Sequence, residues 1–250
     1  NRPTDSRDAE FGDFDNDGWL DFVETNADLT NQTTAAAKVT THPRVYMNLR
    51  SIAGVWNGLC HEDNRIPQLQ TTAGINGVVR FCDSTVGDID CDGDLDLYFV
   101  DHDTDQNGHT EPTNLDLNDR LLINDGNGFF TDVTSLRMTA SMSSSAFGTE
   151  CVFADVNGDT RLDIVKITTL TGSPLAVECI YNDANSSAPN GNGFFDLHQN
   201  NAWTGQPYTM AIADLNNDGR IDMAVGDDSI DGYRFNTGND ALGQVNWGSK

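Results

Sequence analysis

The stretch GDFDNDGWLDFVE, residues 12–24, decides how the chain is read. Its Asp13, Asp15, Asp17, Gly18 and Glu24 satisfy the EF-hand pattern D-x-[DN]-x-[DN]-G-x5-E, which would set the loop between two helices. The motif recurs three times, as VGDIDCDGDLDLYFV from Val86, FADVNGDTRLDIVKI from Phe153 and IADLNNDGRIDMAVG from Ile212. Aligned on the first acid, position 1 is Asp13, Asp88, Asp155 and Asp214, and position 3 is Asp15, Asp90, Asn157 and Asn216. Position 5 is Asp17, Asp92, Asp159 and Asp218, and position 9 is Asp21, Asp96, Asp163 and Asp222. The flanks repeat too: position 8 is Leu20, Leu95, Leu162 or Ile221, and position 1 follows Gly12, Gly87, Ala154 or Ala213.

Comparison of the copies rejects the EF-hand. Position 12, where a bidentate carboxylate closes an EF-hand site, is Glu24 once and then Phe99, Lys166 and Val225. All four copies instead keep an acid at position 9. The segments that follow, LDFVETN, LDLYFVD, LDIVKIT and IDMAVGD, are short, rich in β-branched or aromatic residues and bounded by Gly, Asn and Asp. Such runs predict strands. The loops therefore join strand to strand, and Glu24 is incidental.

The loops still suit Ca²⁺. Oxygen ligands at positions 1, 3 and 5 turn inward as the loop curls, and a Gly at position 6 supplies the positive φ of the bend. A carbonyl near position 7 and the Asp at position 9 complete a shell of hard oxygens, which fits Ca²⁺ better than the tighter Mg²⁺ octahedron. About four Ca²⁺ sites are expected. The third is ranked weakest, because its Gly158 lies at position 4 and the β-branched Thr160 at position 6. A further fragment, DTDQNGHTE, offers Asp103, Asp105, Asn107 and Glu111 at ligand spacing but lacks the apolar flanks; a polar excursion is favoured over an extra metal loop.

An apolar strand ending in Asn follows each loop, at Asn48, Asn124, Asn182 and Asn236, and twice runs on into GNGFF. Strand, Gly-rich turn and aromatic strand make a hairpin signature. Each unit is thus about the size of a propeller blade. With D-x-D-x-D-G-x-x-D between strands and LLINDGNGFFTDVT after it, the chain resembles the FG-GAP and VCBS repeats of integrin-α-like β-propellers. The resemblance implies an all-β fold of four FG-GAP/VCBS-type blades over residues 1–250, with approximate repeats 8–60, 83–140, 150–200 and 209–250. Residues 60–82 and 101–118 read as loop insertions. It also implies calcium loops within the blades, an extracellular, cell-surface or periplasmic setting, and no catalytic residue. Relatives usually have about seven blades, so a larger ring is a further expectation. The chain opens almost directly on a motif and reads as a mature chain or a piece of a longer one.

Composition narrows the partners. With 14 Lys+Arg against 39 Asp+Glu, the formal charge of -25 repels nucleic acid and anionic membranes. No apolar run reaches the length of a membrane span. A protein or glycan partner at the cell surface or matrix is expected, with self-assembly as an alternative, so the chain reads as a non-enzymatic binding, adhesion or assembly module. A lectin-like propeller and the propeller portion of a polysaccharide-degrading enzyme are the competing readings. Trp19, at position 7, and Trp203 are candidate ligand contacts. The five Cys fit an oxidising compartment, with Cys60–Cys82 and Cys151–Cys179 as candidate disulfides and Cys91 left over. Asn31 and Asn185 open glycosylation sequons. The five His form no metalloprotease motif and pair with no evident nucleophile.

Overall fold

Each acidic loop joins two antiparallel strands, and each strand pair grows into one blade. The computed structural model describes residues 6–26, 42–62, 64–69, 79–102, 118–144, 148–168, 176–182 and 193–249. The fragment holding Asp103, Asp105, Asn107 and Glu111 and the sequons at Asn31 and Asn185 lie outside the described residues.

Blade 1 is β1 (Ser6–Gly12), β2 (Asp21–Asn26), β3 (Arg44–Asn48) and β6 (Leu59–His61), with β4 (Ser51–Ile52) and β5 (Val55–Trp56) as a small hairpin beside it. Blade 2 is β7 (Phe81–Gly87), β8 (Asp96–Asp101), β9 (Arg120–Asn124) and β10 (Phe130–Asp132). Blade 3 is β11 (Gly148–Ala154), β12 (Asp163–Thr168), β13 (Ala176–Asn182) and β14 (Phe195–Thr204). Blade 4 is β15 (Pro207–Ala213), β16 (Asp222–Asp227) and β17 (Gly232–Arg234), followed by a hairpin of β18 (Asn236–Asn239) and β19 (Val245–Trp247). Strands run in order outward within each blade, and the first strands of neighbouring blades lie side by side. This is a four-bladed β-propeller arrangement. Two helical turns, Thr134–Arg137 and Ala140–Ser143, follow blade 2.

The period of two in each strand gives every blade two apolar faces. The back face of blade 1 (Phe14, Val23, Val45, Met47) packs on the front face of blade 2 (Val86, Leu95, Leu97, Leu122). Blade 2 meets blade 3 through Ile89, Tyr98 and Leu121 against Phe153, Leu162, Ile164 and Ile180. Blade 3 meets blade 4 through Val156, Val165, Cys179 and Tyr181 against Ile212, Ile221 and Met223. The small residue before position 1 makes room for this approach. A Cβ on Gly87 would stand 2.9 Å from Leu162 of the next blade. The position-8 side chain is therefore a knob, and the preceding blade supplies its hole.

One hydrogen bond marks each junction. An Asn at the end of the third strand, or in blade 4 at the start of β18, donates its side-chain amide to the position-2 carbonyl of the blade before: Asn124 to Phe14 O (2.8 Å), Asn182 to Ile89 O (2.7 Å) and Asn236 to Val156 O (2.8 Å). Junction 2–3 adds a buried network. Lys166 Nζ, fully buried, donates to Asp119 (2.6 Å), Met142 O (2.7 Å) and Ser144 O (2.9 Å), with Glu178 at 3.5 Å. Burial alone would lower the Lys166 pKa, but Asp119 and Glu178 outweigh it and hold the pKa above its ordinary value.

The expected disulfides are not present. All five cysteines are free. Cys151 packs between blades 2 and 3 and Cys179 between blades 3 and 4, and their strands are separated by β12. Cys60 sits on the outer strand of blade 1, and Cys82 on the inner strand of blade 2. The expectation that Trp203 contacts a ligand also fails. It is fully buried, with its indole N–H on Asp227 (2.8 Å) and its ring against Gly232.

Candidate metal centre

The four acidic loops share one hydrogen-bond plan. The position-1 carboxylate accepts the N–H groups of positions 5 and 6, as in Asp13 with Asp17 (2.9 Å) and Gly18 (2.8 Å). The position-5 carboxylate accepts from position 7. Positions 4 and 6 both take positive φ, at Asn16 and Gly18, Cys91 and Gly93, Gly158 and Thr160, and Asn217 and Gly219. Only the position-6 bend is legible in the motif. Thr160 adopts φ 77 there despite its β-branch.

Position 9 is a strut as well as a candidate ligand. Asp21, Asp96, Asp163 and Asp222 are fully or almost fully buried. Each accepts the N–H of position 2 on one oxygen and that of the junction Asn on the other, as in Asp96 with Ile89 (3.1 Å) and Asn124 (2.9 Å). Burial, outweighing these hydrogen bonds, pushes Asp96 and Asp163 up to about 7, and nearby loop acids add to the rise. Asp21 is raised for the same reasons.

Loops 1 and 2 gather oxygens suited to a cation. Asp13, Asp15 and Asp21 each offer a carboxylate oxygen, all within 4.8 Å of one another, and Asp88, Asp90 and Asp96 do the same. Ligands at 2.3–2.6 Å from one Ca²⁺ lie no further apart than about 5 Å. Oδ1 of Asp15 and Oδ1 of Asp90 are buried and have no hydrogen-bond partner. Burial, then neighbouring acids, raises the pKa of both groups. A buried bare carboxylate oxygen among other carboxylates is costly without a counter-charge, so these donors fit Ca²⁺.

Loops 3 and 4 differ. Asn157 and Asn216 at position 3 turn their amides onto Asp159 (3.2 Å) and Asp218 (3.1 Å). Arg161 and Arg220 at position 7 pair with the same two carboxylates. These guanidiniums also donate to Asn182 O and Asn236 O, so Arg161 clamps its loop to the end of β13 and Arg220 to the start of β18. Loop 4, expected to match loops 1 and 2, thus resembles loop 3 in carrying its own counter-charge. Loops 1 and 2 take their guanidiniums from outside the loop, the half-exposed Arg50 on Asp17 and Arg137 on Asp90 (3.0 Å). Trp19 keeps 38% of its surface exposed. A cleft between loops 3 and 4 is lined by Asn157, Gly158, Gly219, Arg220, Asn236 and Asn239.

A family model for the FG-GAP-like repeat matches residues 88–165, which span loops 2 and 3. No curated protein matches the chain. Among solved structures the chain is similar to an Agrocybe aegerita lectin, in work describing specific recognition of non-reducing terminal N-acetylglucosamine. Identity is 15%, the TM-score is 0.49, and the match covers 97% of this chain and 51% of that one, so the chain spans about half that lectin's length. The chain carries an FG-GAP-like repeat at residues 88–165 within a four-bladed β-propeller arrangement.

Proposed function

We propose that the chain is a calcium-stabilised propeller that serves as an extracellular, non-enzymatic binding module. The observation that carries this reading is the pair of unpartnered buried oxygens, Asp15 Oδ1 and Asp90 Oδ1, each within a three-carboxylate cluster. Extracellular modules work with weak sites, with Kd of about 10⁻⁴–10⁻³ M, and exposed loops of this kind suit that range. Bound Ca²⁺ would neutralise the clusters and rigidify both strand connections, leaving the outer surface to hold a partner.

Calorimetric titration with Ca²⁺ and thermal melts with and without chelator test this. Binding only to the folded form adds about 1.4 kcal/mol per site at ten times Kd. Asp15→Asn with Asp90→Asn should abolish most of the chelator-sensitive shift. A melting temperature that chelator does not move would refute the metal assignment. Glycan binding is the second reading. The polar cleft beside Arg220 and the exposed Trp19 favour it, and glycan-array signal lost in Trp19→Ala or Arg220→Ala would support it.

A further inference from the structure

The junction of blades 2 and 3 buries more chemistry than a salt bridge needs. One cation, Lys166, meets two carboxylates there, Asp119 and Glu178, and all three side chains are fully or almost fully buried. Lys166 on β12 is the cross-strand partner of Glu178 on β13, so their side chains share one face of blade 3. Asp119 comes from blade 2, one residue before β9 and 47 positions earlier in the chain than Lys166. The two oxygens of Asp119 are held differently. Oδ1 accepts the backbone N–H of Asp101 (2.8 Å), a donor placed to hold negative charge that develops on that oxygen. Oδ2 accepts from Lys166 Nζ (2.6 Å) and from the Tyr98 hydroxyl (2.7 Å). Burial raises the pKa of Asp119 against all of these donors.

Lys166 is held for the complementary step. At rest it is an ammonium, favoured by both carboxylates. It gives one hydrogen to Asp119 and the other two to Met142 O (2.7 Å) and Ser144 O (2.9 Å). When the first proton moves to Asp119 Oδ2, the other two stay on their carbonyls, and the freed lone pair is the one turned toward Asp119. That transfer replaces a buried ion pair by a neutral amine and a neutral acid, the forms that burial favours. Glu178 Oε2 lies 3.5 Å from the same nitrogen, and His198 Nε2 stands 3.3 Å from that oxygen.

We propose that Lys166 Nζ and Asp119 Cγ condense, with Glu178 as base, to an amide: an intramolecular isopeptide bond that ties blade 2 to blade 3. Nζ attacks Cγ, and negative charge develops on Oδ1 against the Asp101 N–H. Glu178 takes a second proton from Nζ and passes it to the Oδ2 hydroxyl. The Cγ–Oδ2 bond then breaks as the carbonyl re-forms, and water leaves. Amine plus carboxylic acid gives amide plus water, Glu178 ends as it began, and no co-reactant is needed. Groups held in reacting geometry reach effective molarities on the order of 10⁵–10⁸ M, and burial keeps bulk water from reversing the step. The ion pair is the form the chain first folds into, and the bond accumulates from it. With all five cysteines free, the amide supplies a covalent link between blades that the thiols do not.

Intact-mass spectrometry of the folded full chain, sampled over days, tests this. The mass should fall by that of one water. After denaturation, trypsin should leave Lys166 uncut and release a branched peptide that joins its segment to that of Asp119. Glu178→Gln keeps the shape of the site and should slow the loss by on the order of a hundredfold. Lys166→Arg should keep the full mass. Peptide mapping of the parent chain decides the matter even where a variant fails to fold. A folded parent chain that retains its full mass overturns the inference. So does a water lost equally from Lys166→Arg, as ring closure at an Asp–Gly pair would give, or a rate unchanged in Glu178→Gln.

Discussion

Asp83→Asn should stabilise the protein at alkaline pH and do much less under acid. Asp83 lies on the inner strand of blade 2, and its Oδ2 accepts the N–H of Cys151 in blade 3 at 2.7 Å. Burial, reinforced by Asp8 and Glu150, pushes its carboxyl up to about 7 against that hydrogen bond. The folded protein therefore holds this proton more tightly than the unfolded chain. Its contribution to stability is complete below the ordinary value of 3.8 and is lost as pH rises through about 7. At about 1.36 kcal/mol per pH unit, the full loss by pH 8 is about 4 kcal/mol. Some of it has already occurred by pH 5, so about 2–3 kcal/mol separates pH 5 from pH 8. Asparagine keeps the acceptor for Cys151 and removes the titration. Urea denaturation of both proteins at pH 5 and pH 8, in saturating calcium, should show the variant gaining that much more at pH 8. An equal change at both pH values would refute the burial argument.

Two further outcomes follow from strain and from a buried charge. Thr160→Gly should stabilise the protein by about 1 kcal/mol, because relief of the left-handed strain on a β-branched residue exceeds the entropy glycine adds to the unfolded chain; a melting temperature that falls would contradict this. Lys166→Met should cost about 3–5 kcal/mol in urea denaturation by stranding Asp119 in the core, and Asp119→Leu added to it should recover much of that loss.

The acidic loops and the strands beside them were legible because both depend on local spacing. Asp13, Asp88, Asp155 and Asp214 anchor four registers, and a short run rich in β-branched or aromatic residues follows each. What escaped depends on contacts between blades. Lys166 read as a residue that merely fails to be Glu at position 12, yet it sits in a strand whose every residue is buried. An unbroken apolar strand around a lysine was the available signal, but its partner Asp119 lies 47 residues away. The position-9 acid was read as a ligand, and its two backbone bonds were invisible without the third strand. The fold-back of Arg161 and Arg220 at position 7 onto Asp159 and Asp218 depends on side-chain geometry that the motif spacing does not carry. The cysteine pairings failed because spacing along the chain says nothing about which face of a blade each thiol occupies. Trp203 failed for the same reason.

The buried aspartates and junction asparagines, taken in order, form one unbroken line. Asn48 N–H reaches Asp21, which holds Phe14 N–H. Phe14 C=O takes the amide of Asn124, whose own N–H reaches Asp96, and the same steps repeat through Ile89, Asn182, Asp163, Val156, Asn236 and Asp222 to Leu215 N–H. It is a belt of hydrogen bonds threading all four blades, in which each aspartate accepts from both sides and each of Asn124, Asn182 and Asn236 donates to both. The four acidic loops are therefore tied to one another through a continuous line of hydrogen bonds, so a shift of one loop's position-9 aspartate pulls on the blade beside it.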